Sequence, residues 1–381
     1  MIERGVPDRA AEVFSTAGAW LLSDAMAGLI ALFGERLPAD RRGGDDLWLH
    51  LNEELPDWVA SPTVPGLSAG QVDLLRRTLA IEREVADDFN FRDDPAGAYR
   101  ERSQARTADF SDAVREQVLE FATTLGLVGT SEPRHRSYDR TLVLGGGYRS
   151  PLLRARYAAQ LQRNGVDLGE LSFLGSPRFL TEQPPEQPVA DTYAPGATDE
   201  FDLMVGAAQT EFGLHPVAVE FVCGCASDAD PCPAWPRRDS THAPDTPPAF
   251  THERRVDLVD SSGALRARAY SAGTGRPPHR PQTSDTFDLW ARSAGPKAGE
   301  RVLVVTTRVF VPFQTFDALR LLYLPYGLEP DVIGLGAEWG DRPETAEYLL
   351  QETLSGIRSA RRLLIEAAET ITRIGAHRPP R

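Results

Sequence analysis

Short apolar runs that end in Gly, Ser or Thr and alternate with helical segments restrict the fold of this chain more than any other feature. The first two are Thr141–Leu144, followed by three glycines, and Leu171–Leu174, followed by Gly-Ser. The series continues with Val217–Val222, Val302–Val305 and the weaker run Val332–Leu335. Such runs, alternating with helices, are typical of parallel strands in βαβ units. We therefore predict a Rossmann-like three-layer α/β fold with a mostly parallel sheet, a helical N-terminal region and a C-terminal helix.

The predicted organisation has three parts. Residues 1–137 form a helical N-terminal region, residues 138–336 form the α/β core, and residues 337–381 form a C-terminal helix that packs on the core. Ser68 and Gln71 have the spacing of a capping box, and Ser111 opens a further helix. A Pro-, Asp- and Arg-rich stretch, 223–281, is interpreted as a long insertion with a hairpin around Arg255 to Tyr270.

Charge and cysteine content exclude several classes of protein. The formal net charge of −14 disfavours binding to nucleic acid or to an anionic membrane, because like charges repel. Three cysteines do not predict a disulfide framework. The most apolar N-terminal segment, Ala17 to Phe33, is interrupted by Asp24, and the residues before it are acidic, unlike a secretory signal. We predict a cytoplasmic protein.

The glycine run after the first predicted strand is the best candidate for a ligand site. Gly145, Gly146 and Gly147 allow a close approach of backbone to ligand, and the helix start at Ser150-Pro151 favours an anion. Arg149 adds positive charge, as do Arg154 and Arg156. The motif is neither G-x-G-x-x-G nor a P-loop. The alternative is a glycine turn that only allows tight packing of strand and helix, with the arginines in solvent.

Further loops are expected at the same edge of the sheet, because ligands of open α/β sheets bind beyond the carboxyl ends of the strands. One loop contains Gly175, Ser176 and Arg178. Thr306 and Thr307 end the best predicted strand. A third group consists of Ser284, Asp285 and Thr286. These side chains form hydrogen bonds either to hydroxyl groups of a ligand or only to the backbone at the start of a helix, where Thr283 or Ser284 is the N-cap.

Glu200 is the candidate catalytic carboxylate, and its alternative role is favourable pairing with the dipole of the helix that it begins. Cys223, Cys225 and Cys232, together with His242, match no common zinc spacing. We assign no metal ligand, and a zinc-stabilised scaffold remains a third hypothesis.

The order of these motifs resembles the SanA/YdcF-like family of Rossmann-like domains over residues about 138–336. The resemblance places the glycine loop of the family at Gly145–Gly147 and its acid at Glu200. It places the Ser/Thr-rich helix start at Ser284 and Thr286, and a hydroxyl pair at Thr306 and Thr307. It also implies a nucleotide-like cofactor, with S-adenosylmethionine as one candidate. The His that members carry shortly after the late strand is replaced here by Phe310-Val311-Pro312-Phe313.

These patterns predict an enzyme that binds a nucleotide-like or other anionic small molecule at the carboxyl edge of a parallel sheet, with the reaction left open. The alternative is a non-catalytic ligand-binding or regulatory module that uses the same pocket. Neither hypothesis includes nucleic acid or membrane as a partner.

Overall fold

The computed structural model describes residues 5–33, 55–61, 63–92, 106–178, 180, 187–222, 252–275, 281–340 and 344–376. The chain forms two compact units. The helical unit comprises Met1–Gly129, Arg308–Gly327 and Arg342–Arg381, and the sheet unit comprises Thr130–Thr307 and Leu328–Asp341. Residues 308–327, which the sequence analysis placed in the α/β core, therefore belong to the helical unit.

Seven strands among the described residues form one mixed sheet in the order β3-β4-β5-β2-β1-β6-β7. Their bounds are β1 Arg140–Leu144, β2 Glu170–Gly175, β3 His215–Val222, β4 Glu253–Val259, β5 Leu265–Ser271, β6 Arg301–Thr307 and β7 Glu329–Leu335. The five strands from β5 to β7 in this order are mutually parallel. The predicted α/β class with a mostly parallel sheet is confirmed.

The stretch 223–281 is not simply an insertion, because it supplies two strands of the sheet. β4 and β5 form the predicted hairpin, and β5 pairs in parallel with β2 inside the sheet. Its charged residues are consistent with this position, because Arg268 contacts Asp257 of β4 at 2.9 Å and Glu170 of β2 at 3.4 Å. β3 is an antiparallel edge strand, so the interpretation of Val217–Val222 as a parallel strand was wrong.

Helices cover both faces of the sheet, as a three-layer fold requires. Within the sheet unit lie α5 (Ser150–Arg163), α6 (Gln187–Tyr193), α7 (Glu200–Phe212) and α8 (Thr283–Ala294). The apolar cluster that α5 and α7 share with the sheet includes Leu171 and Phe173 of β2. Ser172 lies between them and points to the opposite face, where its Oγ accepts a hydrogen bond from Trp290 Nε1 of α8 at 3.1 Å.

The helical unit has its own apolar core. Its helices are α1 (Val6–Leu21), α2 (Asp24–Ala31), α3 (Ala69–Val85), α4 (Asp112–Thr124), α9 (Val311–Ala318) and α10 (Ala346–Ala376). α10 packs against α1, α3, α4 and α9. The predicted caps are confirmed: Ser68 and Gln71 form a capping box at α3, and the Ser111 side chain caps α4.

Within the described ranges, no single helix is long and apolar enough to cross a membrane. One pair of consecutive helical segments, Asp8–Leu21 and Asp24–Ala31, reaches the length and apolar composition of a membrane span only when the two are taken together. A bend of 43° separates them.

Candidate functional site

The carboxyl ends of β1, β2, β5 and β6 meet at one edge of the sheet, because these strands are parallel neighbours. From β1 the chain continues through α5 to β2 on one side, and β6 lies on the other side of β1. Such a reversal of strand order is where open α/β sheets bind ligands. The first two predicted loops are adjacent, as expected, since the Gly145 amide donates to the Leu174 carbonyl at 2.6 Å.

Gly145 and Gly146 lie in close contact with their surroundings. A Cβ atom on Gly145 would lie 2.7 Å from the Leu174 carbonyl oxygen, and a Cβ atom on Gly146 would lie 3.2 Å from Ser150 Cβ. Packing therefore accounts for Gly145, although its close contact is with the end of β2 and not with the following helix. Of the described residues, none accepts a hydrogen bond from the Gly146 or Gly147 amide, so both remain available donors at the start of α5.

Arg154 of α5 lies directly beneath this loop, with only 2% of its surface exposed. Its NH1 donates to the Leu144 carbonyl at 3.1 Å and also to the Gly145 carbonyl. Its Nε and NH2 donate to Thr307 Oγ1 at 3.2 and 3.1 Å. One buried guanidinium thus joins the ends of β1 and β6 at the point where strand order reverses.

Arg154 was expected only to add positive charge near the glycine run, together with two other arginines, and was not among the predicted site residues. A signal was present: helical spacing places it on one face with Ala158 and Leu161, both apolar and buried. Arg156 has a different place, since it is partly exposed and pairs with Glu211 of α7 at 2.9 Å. Arg156 is therefore not part of the cluster at the glycine loop.

A hydrogen-bonded group of three residues follows β2. Ser176 Oγ donates to Glu200 Oε2 at 2.7 Å, and Arg178 NH1 donates to Glu200 Oε1 at 3.1 Å. The backbone amide of Arg178 donates to Ser176 Oγ at 3.3 Å. The structure therefore brings together the candidate carboxylate and two predicted residues of the second loop, with 12% of the Glu200 side chain exposed.

The start of α7 is held tightly against this loop. The amides of Glu200 and Phe201 donate to the carbonyls of Arg178 and Ser176 at 3.0 and 3.2 Å. Gly175 leaves no room for a side chain, because a Cβ atom there would lie 2.9 Å from Phe201 Cα. Gly175 thus allows Glu200 to approach Ser176.

Arg149 is exposed and donates to the Gly340 carbonyl at 3.2 Å, which joins the loops that follow β1 and β7. It also occupies the N-cap position of α5, so the helix begins at Ser150, one residue earlier than a helix with Ser150 as its N-cap and Pro151 as its first residue. Its exposed guanidinium remains a candidate contact for an anion.

Ser284, Asp285 and Thr286 lie in the first turn of α8, and their contacts mainly cap the helix. Asp285 accepts the Gln282 amide at 2.7 Å, and Gln282 is the N-cap residue, not Thr283 or Ser284 as expected. Thr286 Oγ1 donates to the Thr283 carbonyl at 2.8 Å. Asp285 also accepts the Gly275 amide at 3.1 Å, which ties this turn to the loop after β5 at the same sheet edge.

Thr306 and Thr307 do not act as a pair, because neighbouring strand residues point to opposite faces. Thr307 contacts Arg154, on the α5 side. Thr306 shares its face with Val304, and its buried Oγ1 has no hydrogen-bond partner among the described residues. Only Thr307 is brought to the glycine loop.

No group of three metal-ligating side chains lies close together in the described part of the chain. The stretch containing Cys223, Cys225, Cys232 and His242 lies outside the described residues, so the zinc hypothesis stays an untested prediction.

The fold and this edge define a Rossmann-like α/β protein, and comparison with curated proteins places it in a family. It is 31% identical over 368 residues to Uncharacterized protein Rv3785 of Mycobacterium tuberculosis and to Uncharacterized protein Mb3814 of Mycobacterium bovis. The match covers 94% of this chain and 92% of each relative. The chain belongs to the family of these mycobacterial proteins. No family model and no solved structure matches it.

Proposed function

We propose that this protein is a cytoplasmic enzyme that binds a nucleotide-like or other anionic small molecule at the carboxyl edge of its sheet. The observation that supports this most is the position of Arg154. Its buried guanidinium lies under a loop whose Gly146 and Gly147 amides have no described acceptor. A buried charge acts through a low dielectric, which strengthens its attraction for an anion placed above it.

Two further features add positive potential at the same place. The start of α5 supplies the positive end of a helix dipole next to the Gly146 and Gly147 amides. The exposed Arg149 and the Arg178 side chain, which is 29% exposed, would supply counter-charges from neighbouring loops. The proposed anion therefore lies over Gly145–Gly147, between Arg149 and Arg178.

The remaining polar residues would orient the rest of the ligand. In this proposal Ser284, Asp285 and Thr286 lie at the far side of the same edge, beyond Gly175 and Ser176. Thr307 closes the site toward β6, and Thr306 is left out because it faces the opposite side of the sheet. A nucleotide or S-adenosylmethionine has the polar and planar groups for such a site, as the resemblance to the SanA/YdcF-like family implies.

Glu200 would be the acid or base of the reaction. It is partly exposed at this edge, and Ser176 Oγ donates to it at 2.7 Å, within the distance needed for proton transfer. The alternative is a non-catalytic binding or regulatory module that uses the same pocket. The contacts of both Glu200 carboxylate oxygens with Ser176 and Arg178 favour this alternative, because they suffice for a structural role.

Thermal unfolding of the full chain tests the binding site. AMP, S-adenosylmethionine, glucose 6-phosphate and inorganic phosphate are the probes, and a bound probe at about 100 times its Kd adds about 2.7 kcal/mol. We expect at least one probe to raise Tm, with a smaller shift in Arg149→Ala and Arg178→Ala. Arg156→Ala is the matched control, since its guanidinium pairs with Glu211, and it should respond as the wild type does.

Absence of a shift with all four probes, or equal shifts in every variant, would contradict the proposed site. Turnover of the bound probe separates the two functions. Glu200→Gln should retain binding and abolish turnover if the protein is an enzyme. A protein that binds a probe but never converts it is the non-catalytic module.

A further inference from the structure

Three acidic residues lie at the start of α7: Asp199 is its N-cap, and Glu200 and Asp202 lie in its first turn. Two of them, Asp199 and Asp202, contact a single arginine. Arg254 of β4 contacts the Asp199 carboxylate through NH2 and the Asp202 carboxylate through NH1, the latter at 3.5 Å. Asp199 also caps the helix, because its Oδ1 accepts the Asp202 amide at 3.0 Å. Arg254 therefore contacts both ends of the turn that contains Glu200.

This contact is deeply buried. The side chain of Arg254 is 2% exposed and that of Asp199 is 0% exposed. The Arg254 guanidinium also lies 4.2 Å from the centre of the Phe201 ring. A buried ion pair fixes geometry more than it adds stability, because desolvation offsets most of its attraction and either charge left alone is costly. The cap of α7 is thus held in one position relative to β4.

Helical geometry connects this pair to Glu200. Successive helical residues are rotated by about 100°, so Glu200, two positions before Asp202, points away from the side on which Asp202 contacts Arg254. Glu200 points to the loop after β2, where Ser176 and Arg178 contact its carboxylate. A rotation of the first turn of α7 would break the contact between Glu200 and Ser176 and the contact between Asp199 and Arg254 together.

We propose that Arg254 is a positioning residue, which holds the first turn of α7 so that Glu200 faces Ser176 and Arg178. This role rests on the proposed function, in which Glu200 and Arg178 serve a ligand site. Arg254 acts through Asp199 and Asp202 and does not itself contact the proposed ligand. It comes from the stretch that the sequence analysis took for an insertion, so β4 would support the site as well as extend the sheet.

Hydrogen exchange of the full chain tests the positioning role without a ligand. The Glu200 and Phe201 amides donate to the β2 loop, so their exchange reports whether the turn stays docked. Arg254→Met should speed their exchange at least about tenfold while β1 and β6 exchange as in the wild type. Arg254→Lys, which keeps the charge, should restore most of the protection.

Arg255→Met is the matched control. Arg255 is the next residue on β4 and pairs at 3.6 Å with Glu220 and Glu253, so its loss should leave the α7 amides unchanged. If Arg254→Met does not fold, Asp199→Asn replaces it, because asparagine keeps the capping oxygen and removes the charge. The proposal would be overturned if the Glu200 and Phe201 amides of Arg254→Met exchanged at the wild-type rate. The same holds for Asp199→Asn where that variant replaces Arg254→Met. Faster exchange spread over the whole sheet would also overturn it.

AMP binding by calorimetry adds a readout that a purely structural role would not change. Where the wild type binds AMP, Arg254→Met should weaken binding at least about tenfold, and Arg254→Lys should lie within about threefold of the wild type. Equal affinity in all three proteins would reject the positioning role although the binding site stands. If the wild type binds another of the four probes and not AMP, that probe replaces AMP. A wild type that binds none of the four counts against the proposed function, and the exchange experiment then decides the role of Arg254 alone.

Discussion

Arg154 donates two hydrogen bonds to the Thr307 hydroxyl, at 3.1 and 3.2 Å, from a position where its side chain is almost completely buried. The same guanidinium donates a hydrogen bond to the Leu144 carbonyl. The ends of β1 and β6 are therefore fixed relative to each other by one side chain on α5. Because the glycine loop begins at the end of β1, its position depends on this contact.

Replacement of Arg154 should be costly. Arg154→Met leaves the Thr307 hydroxyl and two strand-end carbonyls without this buried donor, and we expect a loss of about 2–4 kcal/mol in the free energy of unfolding. Arg156→Met removes only a partly exposed ion pair with Glu211 and should cost about 1 kcal/mol or less. Urea unfolding of both variants provides the measurement. Similar midpoints for the two would show that Arg154 does not hold the strand ends.

Gly175 is predicted to be intolerant of even one methyl group. Gly175→Ala places a Cβ atom 2.9 Å from Phe201 Cα, and since backbone cannot rotate away, α7 must shift. We expect a loss of about 1–3 kcal/mol. At Gly275 the nearest atom to a new Cβ is the Asp285 side chain at 3.7 Å, so Gly275→Ala should change stability by less than about 0.5 kcal/mol. A Gly175→Ala protein as stable as Gly275→Ala in thermal unfolding would contradict this packing.

The strands that the sequence predicted well are those buried on both faces. β1 and β6 appear in the sequence as unbroken apolar runs because the residues on both faces of each strand are buried. β4 alternates buried and half-buried residues and contains Arg254, Arg255 and Asp257. Arg254 and Asp257 pair with residues of α7 and β5, and such pairing between distant segments leaves no local mark in the sequence.

The candidate site, like the sheet, could be predicted from the sequence only in part. The adjacency of the loops at Gly145 and Gly175 follows from parallel strand order, which the sequence indicates. The buried arginines were not predicted, since Arg154 and Arg156 look alike in sequence and differ only in which side of α5 they occupy. The turn at Asp285 was ambiguous because the residues that cap a helix are also those that bind ligand hydroxyls.

The stability of the helical unit should depend on pH through Glu347. Burial alone would raise the pKa of this carboxyl, but hydrogen bonds from Arg115 and from the Ala108 amide outweigh it, and the pKa lies below its ordinary value of 4.5. The unfolded chain therefore takes up the proton first as pH falls. The contribution of Glu347 to stability is complete above about pH 5.5 and is lost as pH falls below 4.5 toward the lower folded pKa.

Glu347→Gln should be less stable than the wild type at pH 7 by about 1–3 kcal/mol. Its free energy of unfolding should also fall less steeply as pH is lowered. Glu116→Gln, at an exposed position on α4, is the control, and urea unfolding from pH 3 to pH 7 is the measurement. An acid limb in Glu347→Gln as steep as that of the wild type would show that another carboxylate causes it.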